Sequence, residues 1–388
     1  MTLATCSKDL KFYKWPSITY ICGYEAAPAE CMSIKTISWS CEGNEILAIK
    51  NKGTAVVMNS PVGGDDYIEA FDLDVCHVTT GAFSSTNSNN IAFGCENGTM
   101  FTYDLNSKNL ILRSSLPSGI QHLDFSNDDR TIAVGCTNSQ IVLCDHTLKP
   151  CASFLIPNSP TLACMTYSKL APHLLAAGSR EGILAMWDTE TTDNLLTQRL
   201  HTGKVADIAF NNNLVCTVGA DGRFSSFDLR SYTKTATLDY DCSFCSLAFL
   251  PGCYEMACST TSGQLRSYDI RNMRSPLRTF LANANVPIRK IAFPQTRFEE
   301  CSCCSPITST YTNKSYDEDL SASGDFSIVT DSSLKPSRSA DLKTSYPAIT
   351  PFQPTASEAS GSLFYSWGTV SCVPIQNVAK TTFALLQQ

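Results

Sequence analysis

The chain has 388 residues, a net charge of −7, 43% hydrophobic residues and 17% charged residues. That balance fits a globular chain with a sizeable core and excludes one that is disordered throughout. No apolar run approaches 18 residues, which excludes a membrane helix, and the amino-terminal MTLATCSKDLK lacks the apolar stretch of a secretory signal.

In chain order, residues 2–6 and 10–15 read as a second and a third strand, with no first strand upstream. Then a phrase recurs. Short alternating segments close on Trp39, Phe83, Phe125, Tyr167, Phe210, Phe249 and Phe293, at intervals of 44, 42, 42, 43, 39 and 44 residues. A second marker, an aromatic or apolar residue followed by Asp, keeps the same beat at Asp104, Asp145, Asp188, Asp228 and Asp269, 41, 43, 40 and 41 residues apart. Weaker copies sit at Trp15-Pro16 and Met58-Asn59. A period of about 40–45 residues built from short strands marks a WD-type propeller.

One period shows the pattern. VADIAF (205–210) alternates as a half-buried strand does. LVCTVGADGRFSSFD (214–228) holds two β-rich runs around a Gly-Ala-Asp-Gly turn, and KTATL (234–238) supplies a fourth strand. Similar turns occur at Glu96-Asn97-Gly98, Arg180-Glu181-Gly182 and Thr261-Ser262-Gly263. Near the end of the series, IRKIAF (288–293) is a first strand with no second or third after it. It completes the sheet begun at residues 2–15. The expectation is an all-β fold, a seven-bladed WD40-type β-propeller over residues 1–294, closed by N- and C-terminal strands.

Residues 295–388 change character. Ser and Thr make up 27 of the residues from 301 onward, and prolines recur at 306, 336, 347, 351, 354 and 374. This composition predicts a Ser/Thr-rich, mostly disordered tail. SLFYSWGTVSCVPI (362–375) is its one aromatic-rich stretch, read either as a short docking motif or as an unstructured end. Ser305-Pro306 and Thr350-Pro351 are candidate phosphorylation sites, each phosphate adding about −1.5 to −2 of charge.

The chain carries no GxxxxGK[ST], HExxH, GxSxG or strand-linked GxGxxG, so a non-enzymatic role without cofactors or a small-molecule substrate is expected. The histidines at 77, 122, 146, 173 and 201 are scattered. His201 precedes a first strand, where a hydrogen bond within its own blade is the expected role. Cys301, Cys303 and Cys304 have no metal-site spacing. The 19 cysteines fall mostly in strands, as small hydrophobes expected to stay reduced in the cytoplasm or nucleus. Asn97 and Asn313 open glycosylation sequons that a chain without a secretory signal does not use.

Charge placement is the remaining signal. From Thr261 to Lys290 the chain gathers Arg266, Arg271, Arg274, Arg278, Arg289 and Lys290 against Asp269. Closure would bring Lys8, Lys11 and Lys14 into the blade of Arg289 and Lys290. GGDDYIEAFDLD (63–74) holds five acids and no base. A basic seam opposite an acidic sector is expected, with the basic residues docking an acidic partner. The alternative is an ordinary solvated face. Nucleic acid fits poorly with the net charge and with the lack of aromatics interleaved in a basic groove.

The wording of 243–293, above all GQLRSYDIRNMRSP followed by IRKIAF, resembles the last repeats of the NEDD-one type WD-repeat family, and HTGKVADIAF with VGADGRFSSFDLRS (201–231) fits it too. The resemblance covers the propeller in layout and its last third in wording. It implies an adaptor that recruits gamma-tubulin ring complexes to centrosome and mitotic spindle for microtubule nucleation. It also implies centrosomal or spindle proteins as partners and mitotic kinases acting on the linker. Family members hold the gamma-tubulin complex through a C-terminal helical region. This chain stops at Gln388 with only FALLQQ (383–388) as a helical candidate. A short or truncated form, or weak direct binding, is expected. The alternative reading is a substrate receptor or scaffold in a ubiquitin-ligase or chromatin-type complex. No membrane partner is expected.

Overall fold

The computed structural model describes residues 1–24, 33–61, 70–73, 75 and 77–295. They all belong to a compact unit, Met1–Thr310; a second unit spans Tyr311–Gln388. The tail expectations, including Ser305, Thr350, the cysteines at 301, 303 and 304 and the segment 362–375, lie outside the described residues, as does most of the acidic stretch 63–74.

The described residues form seven four-stranded antiparallel sheets. Blade 1 is Ile34–Trp39, Glu45–Lys50, Ala55–Asn59 and Ala70–Asp72. Blades 2, 3 and 4 follow at 78–115, 120–154 and 162–199. Blade 5 is Val205–Asn211, Leu214–Gly219, Arg223–Asp228 and Thr233–Asp239, and blade 6 spans 244–281. Blade 7 joins the chain's two ends: Lys290–Ala292 pairs with Thr2–Cys6, which pairs with Leu10–Lys14 and then Thr19–Tyr24. Its register sets Ala4 opposite Ala292, Thr5 opposite Ile291 and Cys6 opposite Lys290. The first strand of each blade packs beside the next, and that of blade 7 touches both blade 6 and blade 1. The molecule is a closed seven-bladed β-propeller.

Burial follows from this stacking. Second strands such as Leu214–Gly219 are covered on both faces by neighbouring blades, so five of their six positions are buried. Fourth strands such as Thr233–Asp239 form the outer rim and stay largely exposed. A strand buried on both faces needs an apolar run, not alternation. Cys6, Cys164 and Cys216 sit inside this packing, and burial pushes the Cys6 and Cys164 thiols up to about 12.

The two sequence markers have distinct jobs. The aromatic that ends each first strand packs between blades; Trp39 also donates from Nε1 to the Ala292 carbonyl at 3.1 Å, tying blade 1 to blade 7. The recurrent aspartate caps the turn into the fourth strand. Asp188 accepts from the Glu190 and Thr191 N–H groups at 2.9 and 3.1 Å, and Asp228 from Arg230 N–H at 2.8 Å. Asx caps of this type replace a lost ladder bond at the turn.

Two strands are shorter than expected. The first strand of blade 7 covers Lys290–Ala292, not 288–293, because the Ile288 N–H turns back to the Thr260 carbonyl of blade 6. The third strand of blade 7 ends at Lys14; the Trp15 N–H still bonds the Met1 carbonyl at 2.7 Å, and the Trp15 ring packs edge-on against Phe293, ring centres 5.3 Å apart.

Candidate functional site

Antiparallel order fixes which residues share an end of the propeller. One face carries the turns between second and third strands and the lead-ins to the first strands. His201, in the lead-in to blade 5, marks it. Its Nδ1 donates to Asp221 Oδ1 at 3.1 Å across to the second turn, and its Nε2 accepts from the Thr217 hydroxyl at 2.9 Å. Burial keeps the ring neutral by depressing its proton affinity, against the pull of Asp221. This is the blade-internal bond expected of His201. The other face carries the first–second and third–fourth connections.

The nine basic residues of the expected seam do not form one patch. Lys8, in the turn between the second and third strands of blade 7, lies at the His201 face with Lys11, Arg289 and Lys290. Arg271 and Arg274 belong to the third–fourth connection of blade 6 and lie at the opposite face, with Lys14. Arg266 and Arg278 sit on the strands between.

Several of the nine also have partners within the fold. Arg266 is largely buried, bonding Gln264 through Nε and NH2 and Asp241 through NH1 at 3.1 Å. Arg271 forks onto the Asp269 carboxylate and lies 4.6 Å over the Tyr254 ring. Arg278 reaches Glu255 at 3.4 Å. Lys11 bonds the Asn283 side-chain oxygen and lies 3.2 Å from Asp9. Lys8, Lys14, Arg274 and Arg289 are exposed.

Lys290 makes an ion pair within the fold. Its ammonium reaches across blade 6 to both oxygens of Asp207 on the first strand of blade 5, at 2.8 and 2.9 Å. Asp207 is only 5% exposed and also accepts from the Ser246 hydroxyl and the Leu247 N–H. Ser246 in turn accepts from the Ile291 N–H at 3.3 Å. Desolvation works against the Lys290 charge, but Asp207 more than offsets it and holds the ammonium's proton affinity above the usual lysine value. One carboxylate thus fastens blades 5, 6 and 7 where the ring closes.

The first strands surround a central channel of about 1430 Å³. Lys35, Arg180, Lys204 and Arg289 line it, and all four are exposed. Lys35, Lys204 and Arg289 stand at the start of first strands or just before them, and Arg180 is in a second–third turn. All four therefore belong to the His201 end. Among the described residues none of them is ion-paired with a carboxylate. Of the lining acids, Glu96 shares their end, Glu42 lies in the first–second connection of blade 1 at the other end, Asp207 is held by Lys290, and Asp124 is approached by Lys169 at 3.5 Å on the channel wall. The field is felt by His122, also on the wall: desolvation first, then Lys204, Lys290 and Arg180, push its proton affinity down to about 4 against Asp207. Sequence reasoning found Arg289 here and missed Lys35, Arg180 and Lys204, which are isolated in sequence. The signal that finds them is position: a base at the lead-in of a first strand, or in a second–third turn, points to the channel mouth.

Comparison with known proteins bears on the family. A family model described as the N-terminal β-propeller domain of nucleolar protein 10-like proteins matches residues 146–309. Protein NEDD1 of Homo sapiens is 24% identical over 305 residues, covering 76% of this chain and 45% of that protein. The chain therefore spans about half the length of these curated relatives. E3 ubiquitin-protein ligase COP1 of Arabidopsis thaliana is 20% identical over 172 residues, 42% of this chain and 26% of that one. Among solved structures, a chain of the "Crystal Structure of Mitotic Checkpoint Complex" aligns with TM-score 0.58 at 16% identity, covering 68% of this chain and 82% of its own. The last shows the fold alone. The chain is a seven-bladed propeller that is similar in sequence to NEDD1 over 76% of its length.

Proposed function

We propose that this chain is a non-enzymatic WD-repeat scaffold that brings gamma-tubulin ring complexes to centrosome and mitotic spindle. The observation that carries the reading is similarity to NEDD1 across 76% of the chain. A propeller suits the role because its stacked blades hold many loops rigidly at two faces, and loops on rigid frames are where recognition resides. The seam arginines enter as a proposal confined to the opposite face: Arg271 and Arg274, with Lys14, dock an acidic partner there. Ser305 and Thr350 are the proposed sites for mitotic kinases.

The test is proximity labelling with the full chain in dividing cells. Labelling of γ-tubulin complex subunits and spindle-pole proteins is expected. Labelling dominated by ubiquitin-ligase subunits would replace this reading with the second one, a ligase-associated scaffold, which similarity to COP1 over 172 residues favours. Reversal of charge at Arg271→Glu with Arg274→Glu should disperse the chain from spindle poles without unfolding it. Normal localisation of the folded variant would make these arginines a solvated face.

A further inference from the structure

We infer that the channel mouth at the His201 face captures an extended, carboxylate-rich peptide segment, laid across the opening.

Four cations converge on this mouth in a chain whose net charge is −7. Lys35, Arg180, Lys204 and Arg289 come from four different blades, and among the described residues none of them has a carboxylate partner. Some bases elsewhere on the propeller are neutralised by the fold: Arg223 has Asp239 at 2.7 Å, Arg230 has Asp228 at 2.7 Å, and Arg271 has Asp269 at 2.6 Å. Glu96 is a lining acid at the same end, but the four cations outnumber it, which raises the local potential and favours an incoming anion. Desolvation chiefly, and then Lys204, Lys290 and Arg180, depress the proton affinity of His122 on the channel wall.

The layout selects the kind of anion. Arg180 and Lys204 belong to adjacent blades 4 and 5, Arg289 and Lys35 to adjacent blades 7 and 1. Blade 6 separates the pairs on one side, blades 2 and 3 on the other. A compact anion meets one pair at a time, whereas an extended segment crossing the mouth meets both. A folded acidic surface reaches only the rim. Between the pairs the wall offers the uncharged, exposed side chain of Gln121. This site is separate from the arginine loop at the opposite face, and does not depend on the centrosomal reading.

Fluorescence anisotropy of a labelled oligoglutamate decapeptide against the full chain tests the inference. Saturable binding that weakens as salt rises is expected. Lys204→Glu with Arg289→Glu, one from each pair, should weaken it by about tenfold or more with an unchanged melting temperature. A second variant, Lys35→Glu with Arg180→Glu, guards against misfolding of the first and should behave alike. Arg271→Glu with Arg274→Glu should bind as the parent chain does, which separates failure here from failure of the localisation proposal. Equal affinity in the parent chain and both mouth variants overturns the inference. So does binding of inositol hexakisphosphate, a compact anion, with none of the decapeptide.

Discussion

Lys290 looks like one more surface base until its partner is considered. Asp207 is buried, and removing the ammonium leaves that carboxylate with the Ser246 hydroxyl and the Leu247 and Ile208 N–H groups as donors. A buried acceptor left short of a partner costs about 1–3 kcal/mol. The Lys290 side chain is 38% exposed, so water relieves part of the loss. Lys290→Met should lower stability by about 1–2 kcal/mol, measured by chemical denaturation. A neutral result would mean that solvent screens the bridge entirely. His122 and His201 give a second residue-scale expectation. Burial depresses the proton affinity of both, His122 to about 4. The folded chain holds these rings neutral, while the unfolded chain protonates them near the ordinary imidazole value of about 6.5. Their contribution is complete above that value and is lost as pH falls from there toward about 4. Melting temperature should drop between pH 7 and pH 5, and His122→Gln should make the drop smaller. An identical pH profile in the variant would show that His122 stays solvated.

At the scale of the blade, the tight turns set the limits of substitution. Gly263 sits at φ +84 between the second and third strands of blade 6, and a Cβ there would lie 1.6 Å from the Asn283 carbonyl oxygen. Gly263→Ala should cost about 2–3 kcal/mol, from the left-handed backbone and the clash together. The neighbouring Ser262→Ala should cost far less, and equal melting temperatures for the two would refute the clash. Glycines at such turns are part of what made blades legible from sequence. So were the first-strand aromatics and the turn-capping aspartates, because each recurs once per blade for a local reason. Strand ends were less legible. Ile288 alternates as a strand residue should, yet its N–H bonds a neighbouring blade, a tertiary contact no local pattern carries. The seam residues divide between two faces for a related reason. A cluster of bases in sequence spreads over two faces when the chain reverses between strands, whereas Lys35, Arg180 and Lys204, far apart in sequence, meet at one channel mouth.

For the whole molecule, closure is the step that makes seven weak sheets one domain. No single four-stranded sheet buries both of its faces, so each relies on two neighbours. Blade 7 supplies them for blades 6 and 1 only if strands distant in sequence find each other. Thr2–Cys6 is the link: it pairs with Lys290–Ala292 on one side and Leu10–Lys14 on the other. Contacts reinforce the joint from both sides. Asn283 donates to the Ser7 hydroxyl at 2.8 Å, Arg289 N–H bonds the Cys6 carbonyl at 2.8 Å, and Leu3, Tyr13 and Trp15 pack with Leu265, Ile291 and Phe293. Deleting residues 1–15 therefore removes two strands, strands Thr19–Tyr24 and Lys290–Ala292 without partners and uncovers the apolar flanks of blades 6 and 1. Exposed strand edges of this kind invite pairing between molecules. The shortened chain, 16–294, should aggregate or melt without cooperativity, whereas 1–294 should give a single calorimetric transition. The same logic holds that closure forms late in folding, because its contacts join the most distant parts of the ring. A soluble 16–294 with a sharp transition near that of 1–294 would show that six blades suffice and that the seam only decorates the ring.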